Sequence, residues 1–339
     1  MKKSLLALAV LGAFAGAASA QSSVTIYGSL DLAVTKGNGG TAPNDSANGP
    51  SKAWIEKQSN SSRLGFRGNE DLGGGLSAQF QIEHRFTPDD GVAANPFWAG
   101  RSYVQLSSAT AGRVYLGRDY TPAFWPAVKS DPFGWDGVGQ QGLTMWAGFT
   151  SSTSAVRTSN TVGYKSPSMS GLTGQLAVSL GEATAPRDTG FNLEYAAGPI
   201  YAGFGYEKLS KGPNPVVDGN SLVDFAFHYD LGMVKPIFFY SRAKLNAGTA
   251  LPLTNKYLML GALAPIGGGT LKASWGRLDI DDNAANNGTV TKFSIGYDYP
   301  LSKRTNVYAD LGSGRKQQGN SAAGFTNNTA YALGVKHTF

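Results

Sequence analysis

The residues best suited to chemistry are charged side chains repeated at even spacing: Arg63 and Arg67, Glu83 and Arg85, and Asp224, His228 and Asp230. In an extended chain, even separations put side chains on one face, so each set shares a polar face opposite an apolar one. Arginine keeps its charge at ordinary pH and offers several donors on a rigid fork. A wall of such residues facing water attracts and orients anions. Catalysis asks for more, because nucleophile, base and orienting acid must converge. The chain has no cysteine and three histidines. His84 and His337 share parity with apolar neighbours, which leaves His228 beside Asp224 and Asp230, and no serine can be matched to it from sequence. Enzymatic activity is not expected. Adjacent Glu70 and Asp71 sit at a glycine-rich turn, where two acids are solvated more often than they hold a metal; neither metal nor cofactor is expected.

The elements that position these residues are strands alternating with period two over roughly ten residues, the length a tilted strand needs to cross a bilayer. Val24, Ile26, Leu30, Leu32 and Val34 oppose Thr25, Tyr27, Ser29 and Asp31. Leu76, Ala78, Phe80 and Ile82 oppose Ser77, Gln79, Gln81 and Glu83, and Leu172, Leu176, Val178 and Leu180 oppose Thr173, Gln175 and Ser179. Val223, Phe225, Phe227, Tyr229 and Leu231 oppose Asp224, His228 and Asp230, while Phe293, Ile295, Tyr297 and Tyr299 oppose Lys292, Ser294 and Asp298. About sixteen such segments fit, an even number as a single-chain bacterial barrel requires. They are placed near Val24, Leu64, Leu76, Tyr103, Val114, Val162, Leu172, Leu193, Ile200, Val223, Phe238, Leu258, Leu271, Phe293, Val307 and Leu333. Around Phe238 and Leu258 the alternation is mixed, which suggests an outer face packed on another subunit. Tight turns such as Leu72 to Gly75 and Ala197 to Pro199 alternate with long polar loops such as Lys36 to Asn60 and Gly314 to Asn328, as in outer-membrane barrels, where one rim is trim and the other carries the loops. Tyr229, Tyr297, Tyr299, Trp275 and Phe339 suit the aromatic girdle of such a wall.

Met1 to Ala20 carries Lys2 and Lys3, an apolar run from Leu5 to Ala17, then Ala18-Ser19-Ala20, the pattern of a secretory leader cleaved after Ala20. The run is too short to span a bilayer as a helix. The chain after it, 21–339, reads as one barrel domain. Losing Lys2 and Lys3 leaves 27 basic against 23 acidic side chains, with no block of like charge. That balance does not support nucleic-acid binding. Many glycines, 45 in all, and 11% aromatics fit numerous short strands and turns.

Several stretches resemble the general porins of Gram-negative bacteria, in particular those of β-proteobacteria. Ser62-Arg63-Leu64-Gly65-Phe66-Arg67-Gly68-Asn69-Glu70-Asp71-Leu72-Gly73 is similar to that family's second strand and first periplasmic turn. Arg157, Asn160, Thr161, Val162, Tyr164, Ser166 and Pro167 resemble its sixth strand, and Asp119-Tyr120-Thr121-Pro122, after Gly117-Arg118, the departure of its third loop. Gly334 to Phe339 resembles its closing strand. The resemblance implies a sixteen-stranded antiparallel transmembrane barrel in the outer membrane, a homotrimer, and a third loop, here Asp119 to Thr153, folded into the lumen as a constriction. It further implies contact with lipid and lipopolysaccharide, passage of small hydrophilic solutes and ions, and recognition of terminal Phe339 by the barrel-assembly machinery.

Parity directs Arg63, Arg67, Arg85, Arg101, Glu83 and Asp31 inward. Arg118 falls by parity on the apolar face of Val114 and Leu116; the resemblance assigns it to the lumen, with an irregularity at Gly117. Opposite this basic ladder the resemblance puts Asp131 and Asp136 on the folded loop, within Pro132-Phe133-Gly134-Trp135-Asp136 and just before it. Which of the two carboxylates faces the pore is open. The excess of arginine leans toward anions. A substrate-selective channel, an outer-membrane enzyme and an adhesin are the competing readings.

Overall fold

Alternating faces over so many segments have one stable solution in a bilayer, a sheet closed on itself with every backbone group paired. The computed structural model has this form; it describes residues 23–37, 53–146, 149, 156–210, 212–250, 252–281, 287–318 and 327–339. The expected leader, Met1 to Ala20, lies outside the described residues. In chain order the strands are β1 (Ser23–Lys36), β2 (Trp54–Lys57), β3 (Arg63–Gly73), β4 (Leu76–Arg85), β5 (Ser102–Ser108), β6 (Gly112–Tyr120), β7 (Arg157–Lys165), β8 (Leu172–Ser179) and β9 (Arg187–Ala197). There follow β10 (Ile200–Ser210), β11 (Ser221–Tyr229), β12 (Lys235–Leu245), β13 (Leu253–Ile266), β14 (Gly269–Asp281), β15 (Gly288–Pro300), β16 (Thr305–Gln318) and β17 (Asn328–Thr338).

Neighbours pair antiparallel in sequence order, and β1 closes the ring against β17. β2 and β3 lie end to end along β1: Ala33 to Lys36 face Lys57 to Trp54, and Ser23 to Ser29 face Asn69 to Arg63. They are two halves of one wall strand interrupted at 58–62, so the wall has sixteen strands, and all sixteen positions placed from the alternation fall within them. Val24, Ile26, Val34, Leu116, Leu176 and Leu333 are exposed on the outer face, whereas Ser29, Asp31, Asp224, His228, Lys292 and Ser294 are buried on the inner one. Among the described residues no helix is long and apolar enough to cross a membrane.

Loop three spans 121–156, slightly later than the sequence boundaries, because Asp119 and Tyr120 still pair with Thr158 and Arg157 in the β6–β7 ladder. It carries two short helices, α1 (Phe124–Ser130) and α2 (Gly142–Met145). The loop lies on the inner wall. Phe124, Met145, Trp146 and Phe149 pack against Ile237, Phe239, Tyr257 and Met259, which point inward from β12 and β13. This explains the mixed alternation near Phe238 and Leu258: the apolar residues that break the pattern face the inside of the barrel, where loop three covers them. At about 2 kcal/mol per fully buried large side chain, four such anchors contribute on the order of 8 kcal/mol as an upper estimate. Polar ties add to them. Tyr257 donates to Gln141 Oε1 at 2.8 Å, Gln141 Nε2 to Ser274 Oγ at 2.9 Å, and Ser241 Oγ to the Met145 carbonyl at 2.7 Å.

Close approach of loop to wall depends on glycine. A Cβ added to Gly205 would stand 2.7 Å from Ala123 Cα, and one on Gly261 2.9 Å from Pro132 Cγ. One on Gly312 would run into the Val138 carbonyl. No side chain fits at these rungs while the loop is seated.

Candidate functional site

Pinned to β9–β16, loop three leaves open the sector of the lumen lined by β1–β7. There Arg63 (β3), Arg85 (β4) and Arg157 (β7) line, with Tyr120, Phe124, Trp135 and Asp136, a cavity of about 430 Å³. Arg63 donates to Ser29 Oγ at 3.2 Å and Asn60 Oδ1 at 3.0 Å. Arg85 pairs with Glu83 at 2.8 Å and donates to the Tyr120 hydroxyl at 3.2 Å. Arg157 donates to the same hydroxyl, with its Cζ 4.2 Å from the ring centroid. Among the described residues no carboxylate lies within ion-pair distance of Arg63 or Arg157.

The two loop acids have different tasks. Asp131 is buried and accepts from the N–H groups of Phe133 at 3.0 Å, Trp135 at 3.1 Å and Gln141 at 2.8 Å. It holds the loop's turn together and does not face the arginines. Asp136 does. Its Oδ2 accepts from Asn60, its neighbour Gly137 donates to the Ser59 carbonyl at 2.9 Å, and Ser59 N donates to Asp31 Oδ1 at 2.8 Å. The break between β2 and β3 is thus the dock for the loop tip. Loss of hydration pushes the Asp136 carboxyl up to about 6, although Lys336, Arg63 and Arg85 favour its charged form.

The remaining expected residues divide. Glu83 faces inward, accepting from Tyr27 at 3.1 Å as well as pairing with Arg85. Arg67 projects into the lumen with Cζ 5.4 Å from the Tyr27 ring. Arg101 is held by both oxygens of Asp119, at 2.7 and 3.0 Å, and Lys165 reaches the same carboxylate at 2.9 Å, so most of its charge is answered locally. Arg118 does not line the cavity that Arg63, Arg85 and Arg157 share. An irregularity is present, but Arg118 alone stands opposite Ser159 and Asn160, so the extra residue is on β7, where Asn160 has φ 54°. β6 keeps its alternation through inward Asp119, and Arg118 donates instead to the Ala99 carbonyl at 3.2 Å and Ser159 Oγ at 3.0 Å. Arg157, rather than Arg118, lines the cavity with Arg63 and Arg85.

Parity alone misses Arg157, because it pairs with Tyr120 on the last rung of the β6–β7 ladder, where both chains leave the wall. His228 does meet a serine: its Nε2 lies 3.0 Å from Ser130 Oγ, which donates to the Pro126 carbonyl at 2.7 Å. Both are buried between α1 and the wall, with the hydroxyl proton already committed, so the pair seats the helix. His84 faces outward but is covered, its Nδ1 2.5 Å from the Phe97 carbonyl and its ring stacked on Phe97 at 3.8 Å.

A family model described as Gram-negative porin matches residues 7–320. The chain belongs to that family. Outer membrane porin protein 32 of Delftia acidovorans is 33% identical over 346 residues, covering 99% of this chain and 95% of that one. An outer membrane porin protein of Bordetella pertussis is 30% identical over 398 residues, covering 100% of both chains. Among solved structures, an anion-selective porin from Comamonas acidovorans superposes with a TM-score of 0.76 at 26% identity, covering 94% of this chain and 100% of that one. The protein is an outer-membrane porin of the Gram-negative type, a channel-forming barrel and not an enzyme.

Proposed function

We propose that this porin is a passive, water-filled diffusion channel for small hydrophilic solutes and ions, leaning toward anions, with its constriction between Arg63, Arg85 and Arg157 on the wall and Asp136 on loop three. One observation carries the reading: three guanidinium groups converge on a single cavity whose lining holds one carboxylate, Asp136. Fixed charge of one sign at a narrow point favours the counterion and sets a transverse field for the permeant. The similarity to the anion-selective porin from Comamonas acidovorans supports the same sign. Arg67 and Arg101 serve the approach from the periplasmic side.

In the same reading, the leader Met1 to Ala20 is removed on export and the remaining chain acts as one domain. The protein works as a homotrimer among lipid and lipopolysaccharide, and Phe339 guides its insertion by the barrel-assembly machinery. Exposed Phe97 and Trp98, on the loop that covers His84, support an assembled outer face. The deciding experiment is reversal potential of the purified protein in a planar bilayer under a potassium chloride gradient. Large stepwise openings with an anion-directed potential are expected. A silent membrane with folded protein, or a cation-directed potential, would overturn the reading.

A further inference from the structure

The constriction has two chemically distinct sides. On the wall side stand the arginines; on the loop side the surface is aromatic. Phe124 meets Trp135 edge-on at 4.9 Å, and Tyr120, the last residue of β6, stacks on Phe124 with centroids 4.6 Å apart and continues this surface onto the wall. Trp125 and Val128 extend this surface along α1. Trp125 is itself flanked by cations, with Lys165 Nζ 5.5 Å and Arg101 Cζ 5.7 Å from its ring. A pore passing only hydrated ions gains nothing from an apolar face, since water at such a surface gives up hydrogen bonds. Cavities of roughly 300–1,000 Å³ that combine an aromatic lining with a few placed polar groups are the form taken by sites for small organic ligands, and about 430 Å³ falls within that range.

We propose that this slot is a subsite for aromatic carboxylates, with the carboxylate held by Arg157 and Arg85 and the ring lying against Trp125, Val128 and Trp135; the proposal rests on the anion-leaning channel described above. A guanidinium pairs with a carboxylate through two parallel hydrogen bonds, and ring-on-ring contact adds an attraction that acetate or chloride lacks. The subsite is shallow and on the permeation path. It therefore raises local occupancy of such solutes, and at high concentration they obstruct chloride.

The test measures the concentration of phenylacetate and of acetate that halves single-channel chloride current, with benzyl alcohol as the neutral aromatic probe. Wild-type porin is expected to respond to phenylacetate at about tenfold lower concentration than acetate, and only weakly to benzyl alcohol. In Trp125→Leu and Val128→Asn, each confirmed folded by resistance to unfolding in detergent, the ratio should fall below about threefold. Because the ratio is internal to each variant, any change in chloride current cancels. Arg157→Gln should weaken both acids together. Equal potency of the two acids on wild type would overturn the subsite, as would equal potency of benzyl alcohol and phenylacetate, or a preference that survives both loop variants. A wild-type membrane silent before any acid is added sinks the channel reading itself, whereas an open channel that treats both acids alike sinks only this one.

Discussion

Arg157 stands over the ring of Tyr120 and donates to the hydroxyl that also accepts from Arg85. A neutral acceptor thereby draws two like charges together without cancelling either. With Glu83 paired to Arg85, Arg157 has no carboxylate at ion-pair distance among the described residues and lines the cavity as a charged group. At roughly 6 Å in a water-like medium, one unit charge biases a passing ion by about 0.7 kcal/mol, near threefold in occupancy. Removing the charge lowers anion occupancy and raises cation occupancy by that factor each, so Arg157→Gln should lower the anion-to-cation permeability ratio by up to about tenfold at low salt, with less effect at 1 M, where the screening length is about 3 Å. Reversal potentials at the two salt levels check this. Arg118→Gln, whose guanidinium serves the Ala99 carbonyl and Ser159, should change the ratio far less.

Asp136 gives the pore a pH response of known sign. Its carboxyl titrates at about 6 because burial disfavours the charge, so it is mostly ionised at pH 7 and mostly neutral at pH 5. Protonation removes the one negative group in the lining, and anion preference should rise as pH falls through that window. Asp136→Asn should show the raised preference already at pH 7 and lose the step. A step of the same size in Asp136→Asn would assign the titration to another group.

The sixteen wall strands are legible in the sequence because lipid outside and water inside impose opposite demands on successive residues, as along Val24 to Asp31. The pattern fails where the inside is not water. Ile237 and Phe239 point inward and are apolar because loop three covers them, a contact between segments about a hundred residues apart that periodicity cannot register. The same non-local docking hid the roles of the loop acids: Asp131 and Asp136 are alike in composition and differ in which backbone groups the folded loop turns toward them. Arg63, Arg67, Arg85 and Glu83 were readable from parity within one strand. Arg118 follows parity too, on the face of Val114 and Leu116; only the resemblance put it in the lumen, and the irregularity assumed at Gly117 for that purpose lies across the ladder at Asn160 and leaves β6 in phase.

Seating of loop three should fail when its glycine footing is filled. In Gly312→Val the new side chain meets the Val138 carbonyl, a backbone atom with nowhere to withdraw while Gly137 stays bonded to Ser59. Overpacking of this kind costs about 1–3 kcal/mol, enough to release the tip and not the helices anchored on β12 and β13. Single-channel conductance should rise and the pH step of Asp136 should shrink, because the carboxylate no longer faces the arginines. Gly198→Val, at a turn with nothing near the added group but a φ of 55°, should cost stability without changing conductance.

The division of labour between the two loop carboxylates predicts opposite phenotypes from the same chemical change. Asp131 supplies one oxygen to Phe133 N and the other to Trp135 N and Gln141 N. In Asp131→Asn one oxygen becomes an NH2 group, and at least one of those donors then faces another donor while buried, at about 1–3 kcal/mol. The turn should loosen, and the open-channel current should become noisier with brief closures. Ion preference should hold, because Asp131 is turned away from the arginines. Asp136→Asn should do the reverse, shifting the reversal potential toward anions over a quiet trace, since the amide oxygen still accepts from Asn60 and only the charge is lost. Paired recordings of the two variants check this. A reversal potential moved as far by Asp131→Asn as by Asp136→Asn would place both carboxylates on the pore.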